Sequence, residues 1–204
     1  MSDRTYLCNC PDFKNKQGLW VRSFTPAQKV CARTRAGTVW DRVVTRCRTL
    51  GSINKFDGFQ EFAEWCQEEY GYLEKELNGS YWGLDKDILS GYERVYSPKT
   101  CLFVPQCINV LFKQTSLGEL GTLQPRGVNY CKDIGKYKVN ATPYGSDKTQ
   151  HIAVCDTREE GLALAAKAWS DKVRQYLLDD RIIEHALLIK ALNLKIELME
   201  KYYA

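Results

Sequence analysis

The chain has 204 residues, 44% of them hydrophobic, which is enough for one large domain or two small ones. Its apolar runs are too short to span a bilayer and residues 1–5 contain no apolar signal region, so we expect no membrane partner and a cytoplasmic location in a bacterial host cell. Residues 1–50 carry ten Lys and Arg against three Asp and Glu, whereas residues 51–123 carry six against eleven. This asymmetry favours nucleic-acid binding by part of the chain, and a solvated basic surface without a partner is the alternative.

The nine cysteines are an odd number, which excludes a complete disulfide framework. They are scattered, and the two nearest in sequence are Cys8 and Cys10. In a reducing compartment such cysteines serve mostly as small buried hydrophobes, which is the role predicted here, with no metal and no cofactor. A structural zinc that uses Cys8, Cys10 and a distant pair is the alternative.

Residues 1–36 form a basic N-terminal segment in which Lys and Arg alternate with aromatic residues. Apolar residues at helical spacing then predict a helix over residues 39–47, with Trp40 and Val43 on one face and Arg42 and Arg46 together on another. A second helix is predicted around residues 59–66, where aromatic residues form the core stripe. We assign residues 37–118 to the first domain.

Three short strands are predicted over residues 126–132, 136–142 and 149–155, with a turn cluster at residues 143–147. Thr157 and Glu160 have the spacing of a capping box, so a helix is predicted to begin at residue 158. We assign residues 119–178 to a second domain. The fold class is therefore α+β.

The pattern of residues 181–203 predicts a C-terminal helix with two apolar stripes. We assign residues 179–204 to the segment that contains this helix. One stripe has heptad spacing and consists of Leu187, Ala191, Leu194 and Leu198. Its partner is either the core of the same chain or a second copy, which would make the protein a homodimer. The spacing does not separate these two alternatives.

Three motifs occur in a fixed order: residues 84–87 (Leu-Asp-Lys-Asp), 96–105 (Tyr-Ser-Pro-Lys-Thr-Cys-Leu-Phe-Val-Pro) and 108–109 (Ile-Asn). Together with Trp40 and the Arg46-Cys47 pair, they resemble the HNH-like proteins of tailed phages over about residues 37–112. This family includes homing endonucleases. The resemblance implies a ββα unit in which a histidine deprotonates the attacking water and one divalent metal stabilises the developing charge.

Residue by residue, this resemblance gives Asp85 one metal-ligand position and Asn109 another, and Lys86 stands where the histidine belongs. An ordinary lysine is protonated at neutral pH and cannot accept a proton. The two histidines of the chain lie in the third predicted strand and the C-terminal helix, far from the motif. We therefore interpret Asp85, Lys86 and Asn109 as vestigial, with no catalytic residue and with Lys86 in an ion pair with Asp85 or Asp87.

Residues 126–128 (Arg-Gly-Val), 135–137 (Gly-Lys-Tyr) and 156–161 (Asp-Thr-Arg-Glu-Glu-Gly) resemble an AP2 DNA-binding domain over about residues 126–170. Cys155, Ala153, Val154 and Gly161 depart from the usual residues of that family. The resemblance implies an antiparallel sheet that lies in the major groove. Along the chain, this sheet follows the degenerate HNH-like region. The DNA-facing residues that it implies are Arg126, Asn129, Lys132, Lys136, Lys138 and Asn140.

Within this set, Arg is suited to guanine and Asn to adenine, whereas the three lysines are suited to phosphate. Strand alternation puts Arg126 and Asn129 on opposite faces, so a bulge or a twist is needed to present both.

Together these features predict a sequence-specific protein that binds double-stranded DNA. Its expected role is that of a transcriptional repressor from a phage or related mobile element, descended from a homing endonuclease that lost its histidine. The main alternative is an active metal-dependent homing endonuclease that uses Asp85, Asp87 or Asn109. A third hypothesis is a protein that blocks a host defence factor by direct contact.

Overall fold

The computed structural model describes residues 7–24, 32–90, 93–112, 115–117, 123–146 and 148–203. The described part is mixed α+β, as the sequence predicts, and combines helices with several small sheets. The chain divides into two compact units, Met1–Phe103 and Val104–Ala204. The predicted division into four segments stays a prediction. None of the described helices is long and apolar enough to cross a bilayer.

The first unit is built from short strands and two longer helices. In chain order its elements are β1 (Leu7–Cys10), β2 (Ser23–Phe24), β3 (Ala32–Thr34), α1 (Arg35–Leu50), β4 (Ile53–Asn54), α2 (Phe59–Glu68), β5 (Gly83–Asp85), α3 (Asp87–Ser90), β6 (Val95–Tyr96) and β7 (Leu102–Val104). The strands form sheets in the order β1-β3-β2, with β4 beside β6 and β5 beside β7. Because these strands are so short, side-chain packing contributes more to this unit than strand pairing does.

Aromatic packing between α1 and α2 forms the core of the first unit. The α1 helix is capped by Thr34, whose side-chain oxygen accepts a hydrogen bond from the Gly37 amide at 3.1 Å. The predicted buried face of α1 is confirmed, since Trp40 and Val43 are both buried. Trp40 packs on Phe62 of α2 with ring centroids 5.2 Å apart. The aromatic stripe predicted for α2 therefore faces this core.

The second unit contains the predicted three-stranded sheet. Its elements are α4 (Gln106–Leu111), β8 (Thr115–Leu117), β9 (Leu123–Pro125), β10 (Val128–Cys131), β11 (Lys136–Ala141), β12 (Gln150–Cys155), α5 (Arg158–Leu177) and α6 (Ala186–Tyr203). The β10, β11 and β12 strands pair antiparallel in that order, close to their predicted bounds. Asp147 of the predicted turn cluster lies outside the described residues.

One face of the three-stranded sheet is covered by α5. Val139 in the central strand is fully buried and packs in one cluster with Cys155 and Ala165. Gly161 comes so close to the sheet that an added Cβ would lie 2.8 Å from Cγ1 of Val128. This close approach accounts for a glycine at position 161.

The two long helices of the second unit begin at side-chain caps. The predicted capping box is confirmed, because Thr157 Oγ1 accepts from the Glu160 amide at 3.2 Å and Glu160 Oε2 accepts from the Thr157 amide at 3.3 Å. The predicted start of the C-terminal helix at residue 181 is wrong. Residues 179–185 form successive turns, and α6 begins only at Ala186, where His185 Nδ1 accepts from the Leu188 amide at 3.4 Å.

Candidate nucleic-acid interface

The face of the three-stranded sheet that points away from α5 carries polar and basic side chains. Strand register places Asn129 opposite Lys138, and Lys138 opposite Val154, so these residues form one row across the sheet. Lys136 lies two residues along β11 on the same face, and both lysines are exposed. The predicted alternation of β11 is therefore confirmed. We call this surface the open face; it comprises Asn129, Lys136, Lys138, Asn140, His151 and Val154.

A β-bulge brings His151 onto the open face, which strand alternation alone does not predict. Val139 pairs with Ala153, but its neighbour Asn140 pairs with His151. Ile152 is therefore an extra residue on β12, and it lines a cavity on the α5 side of the sheet. His151, interpreted from the sequence as an ordinary histidine, lies exposed in the row of Asn140. No glycine or proline marks this bulge, so the sequence carries no signal for it.

Arg126 lies just before β10 and is exposed. The adjacent Gly127 has a φ of +103°, and its carbonyl oxygen accepts from the Asn140 amide at 2.9 Å. Because Arg126 precedes the strand, strand alternation does not set its direction. Strand alternation therefore no longer places Arg126 and Asn129 on opposite faces, because only Asn129 belongs to β10.

The three candidate phosphate-binding lysines differ in their surroundings. Lys132 is exposed in the turn after β10, and Lys138 is exposed on the open face. Lys136 Nζ lies 2.8 Å from Asp156 Oδ1, and this partner holds the pKa of Lys136 above its ordinary value. The Asp156 carboxylate would therefore compete with phosphate for Lys136.

In the Leu-Asp-Lys-Asp motif, Asp85 has a structural role. It is 5% exposed, and its Oδ1 accepts from the amides of Asp87 and Ile88, both at 2.8 Å, so it caps α3. Burial raises the pKa of the Asp85 carboxyl. Lys86 forms an ion pair with Asp87, which is one of the two pairings expected from the sequence. Asn109 lies in α4, in the second unit.

The residues of this segment do not fit a divalent metal. One Asp85 oxygen is engaged by two amides, and the Asp87 carboxylate is engaged by the Lys86 ammonium. Across the described ranges, no group of three or more His, Cys, Asp or Glu side chains is arranged to hold a metal ion. The side chains of Cys66, Cys101 and Cys155 are buried, as predicted, whereas those of Cys10, Cys47, Cys107 and Cys131 are half-buried. The side chains of Cys8 and Cys31 lie outside the described residues.

A second basic surface lies along α1 in the first unit. Arg33, Arg42 and Arg46 line a groove of about 360 Å³ together with two threonines and Asp41. Arg33 Nε lies 2.9 Å from Asp41 Oδ2, and Arg46 donates to the Tyr96 hydroxyl at 3.2 Å. The predicted grouping of Arg42 with Arg46 is therefore observed. Part of the positive charge of this groove is balanced by Asp41.

No protein-family model, curated protein or solved structure matches this chain. The resemblances to HNH-like phage proteins and to AP2 domains therefore stay predictions that rest on the motif residues.

Proposed function

We propose that this protein binds double-stranded DNA sequence-specifically through the open face and acts as a transcriptional repressor of a phage or related mobile element. The observation that supports this most directly is the row of Asn129, Lys138 and Val154 on an exposed sheet face. A two- or three-stranded sheet fits the major groove, where side chains perpendicular to the strands contact base edges. Repression requires occupancy without cleavage, which agrees with the structural roles of Asp85 and Lys86.

The residue types on the open face suit different parts of DNA. Asn129 and Asn140 carry amides that can pair with adenine, and the exposed Val154 suits the methyl group of thymine. Lys138 suits the phosphate backbone, as do Lys132 and Lys136 at the end of the sheet. Arg126 lies outside the strands and in this proposal contacts a guanine or a phosphate beside the sheet.

Footprinting of bound DNA across the genome of cells that carry the source element tests this function. We expect a few strongly protected sites that share a sequence and overlap promoters. A magnesium-dependent plasmid-nicking assay on the same protein tests the nuclease alternative. Cutting that is lost on Asp85→Asn, which keeps an oxygen to cap α3, would overturn the repressor proposal. Failure to shift any DNA at moderate salt would favour direct contact with a host factor instead.

Lys138→Ala is expected to weaken binding to all DNA sequences and to reduce the slope of log K against log salt by about 0.9. Lys136→Ala should cost less affinity, because Asp156 already pairs with that lysine. Asp156→Asn should strengthen binding, since it removes a carboxylate close to the backbone. Fluorescence anisotropy over a salt series measures all three variants.

The matched control is Lys167→Ala, which removes an exposed lysine of α5 that pairs with Asp171 at 2.9 Å. Its salt slope should equal that of the wild-type protein. An unchanged slope in Lys138→Ala would mean that the open face does not contact phosphate.

We further propose that α6 forms the homodimer suggested by its heptad spacing. Leu187 and Leu194 of that stripe are 48% and 52% exposed, although Ala191 is buried within the subunit. Lys190 and Glu197 are exposed and lie two turns apart on the same helix. In an antiparallel pair, Lys190 of each copy would approach Glu197 of the other, which gives a two-fold symmetric contact suited to a palindromic site.

Sedimentation velocity tests this dimer. The double variant Leu187→Lys with Leu194→Lys should be monomeric. Lys190→Glu should weaken association through like charges, and adding Glu197→Lys to it should restore association. A monomeric wild-type protein, or a charge swap that restores nothing, would contradict the antiparallel arrangement.

A further inference from the structure

Two adjoining cavities lie in the second unit between α5 and the end of the three-stranded sheet. The first measures about 220 Å³, and residues that line it include Arg126, Ala141, Ala165, Ala168, Trp169 and Lys172. The second measures about 260 Å³ and shares Ala141, Ala168 and Lys172 with the first. The sheet–helix packing of this unit therefore leaves room for a small molecule.

The lining of the first cavity combines apolar walls with two cations, and the lining of the second also includes Asp171. Trp169 is 4% exposed and lines the first cavity beside the small side chains of Ala165 and Ala168. Lys172 is 6% exposed and lines both cavities, and burial lowers the pKa of its ammonium group. Arg126, which lies just before β10, adds a second cation to the lining of the first cavity. A cavity wall that carries two cations suits an anionic group of a ligand.

The size of the first cavity limits the ligand. An apolar cavity of roughly 150 Å³ holds a benzene molecule, so about 220 Å³ has room for one aromatic ring with a small polar substituent. Small-molecule sites are typically apolar with a few polar groups that fix orientation, which matches a tryptophan wall with a lysine and an arginine. A carboxylate is the substituent that both cations recognise.

We propose that this cavity is a binding site for a small aromatic carboxylate. The ring lies against Trp169 and Ala168, and the carboxylate contacts Lys172 and Arg126. This site does not require the DNA-binding proposal, although Arg126 is used in both. The probe experiment contains no DNA, so failure of one proposal leaves the other standing.

Fluorine NMR of para-fluorobenzoate with the full-length protein tests this site. We expect line broadening at millimolar probe that unlabelled benzoate reverses and that neutral benzamide does not. Lys172→Gln should weaken probe binding by about tenfold or more, because it removes a charge-assisted contact. Lys167→Gln, an exposed position on the same helix, should leave binding unchanged.

Ala168→Met provides a second test that does not alter charge. The longer side chain fills the space shared by both cavities and should abolish probe binding while the far-ultraviolet circular dichroism stays unchanged. Absence of broadening with the wild-type protein would overturn the site. Equal binding of benzoate and benzamide would overturn the charge recognition, and binding that persists in Ala168→Met would overturn the location.

Discussion

Gly127→Ala is expected to destabilise the second unit by about 3 kcal/mol or more. Gly127 has a φ of +103°, which side chains rarely adopt, and a Cβ there would lie 2.0 Å from the backbone oxygen of Asn140. The clash is with backbone, so no rotamer change relieves it. To make room, β11 would have to move away and lose the bond from the Asn140 amide to the Gly127 oxygen.

Urea denaturation followed by near-ultraviolet circular dichroism measures this change. Gly135→Ala is the matched control, because Gly135 also has a positive φ, +65°, but a Cβ there would come no closer than 4.0 Å to a neighbouring atom, the Tyr130 hydroxyl. Its cost should be about 1 kcal/mol, from backbone strain alone. Equal losses in the two variants would show that the close approach to Asn140 does not matter.

Asp85→Ala is expected to lower the stability of the first unit by about 2–3 kcal/mol. The substitution leaves two amides of α3 without the acceptor that Asp85 provides, in a buried position. Asp85→Asn keeps a side-chain oxygen for these amides and should cost much less. Thermal unfolding of the two variants beside the wild-type protein measures the difference, and a fully stable Asp85→Ala would contradict the capping role.

The difference in stability between Asp85→Asn and the wild-type protein should depend on pH, with a defined sign. Burial raises the pKa of Asp85 in the folded state, so the folded protein holds a proton that the unfolded chain releases. The stabilisation from this bound proton is fully present below the pKa that Asp85 has in the unfolded chain. It is lost as the pH rises through the higher pKa of Asp85 in the folded protein. The stability of Asp85→Asn relative to wild type should therefore increase with pH over that window. A constant difference would contradict the raised pKa.

Local sequence patterns predicted the strand and the helix that position the open face. The Thr157 and Glu160 spacing fixed where α5 begins, because a capping box depends only on residues within one turn. The alternation of Lys136, Lys138 and Val139 predicted the faces of β11, because one face is buried under a helix.

Other parts of the site depend on contacts between distant residues and carry no local signal. The bulge that brings His151 onto the open face arises from the register between β11 and β12. The Lys136–Asp156 ion pair joins the start of β11 to the end of β12, twenty residues apart. The role of Asp85 was obscured for a different reason, since the same Asp-x-Asp spacing serves a metal ligand and a helix cap equally well.

The Asp156 carboxylate has a consequence for how the proposed repressor would search a genome. A regulatory protein competes for its site against about 10⁶–10⁹ other positions, and every phosphate contact strengthens all of them equally. If the open face binds DNA as proposed, Asp156 would reduce this indiscriminate attraction by holding Lys136, and Asn129 and Asn140 would remain to distinguish bases. A variant without Asp156 would bind more tightly yet be retained longer at wrong sequences. Selectivity on this surface would then be set partly by a negative charge that never needs to touch the target.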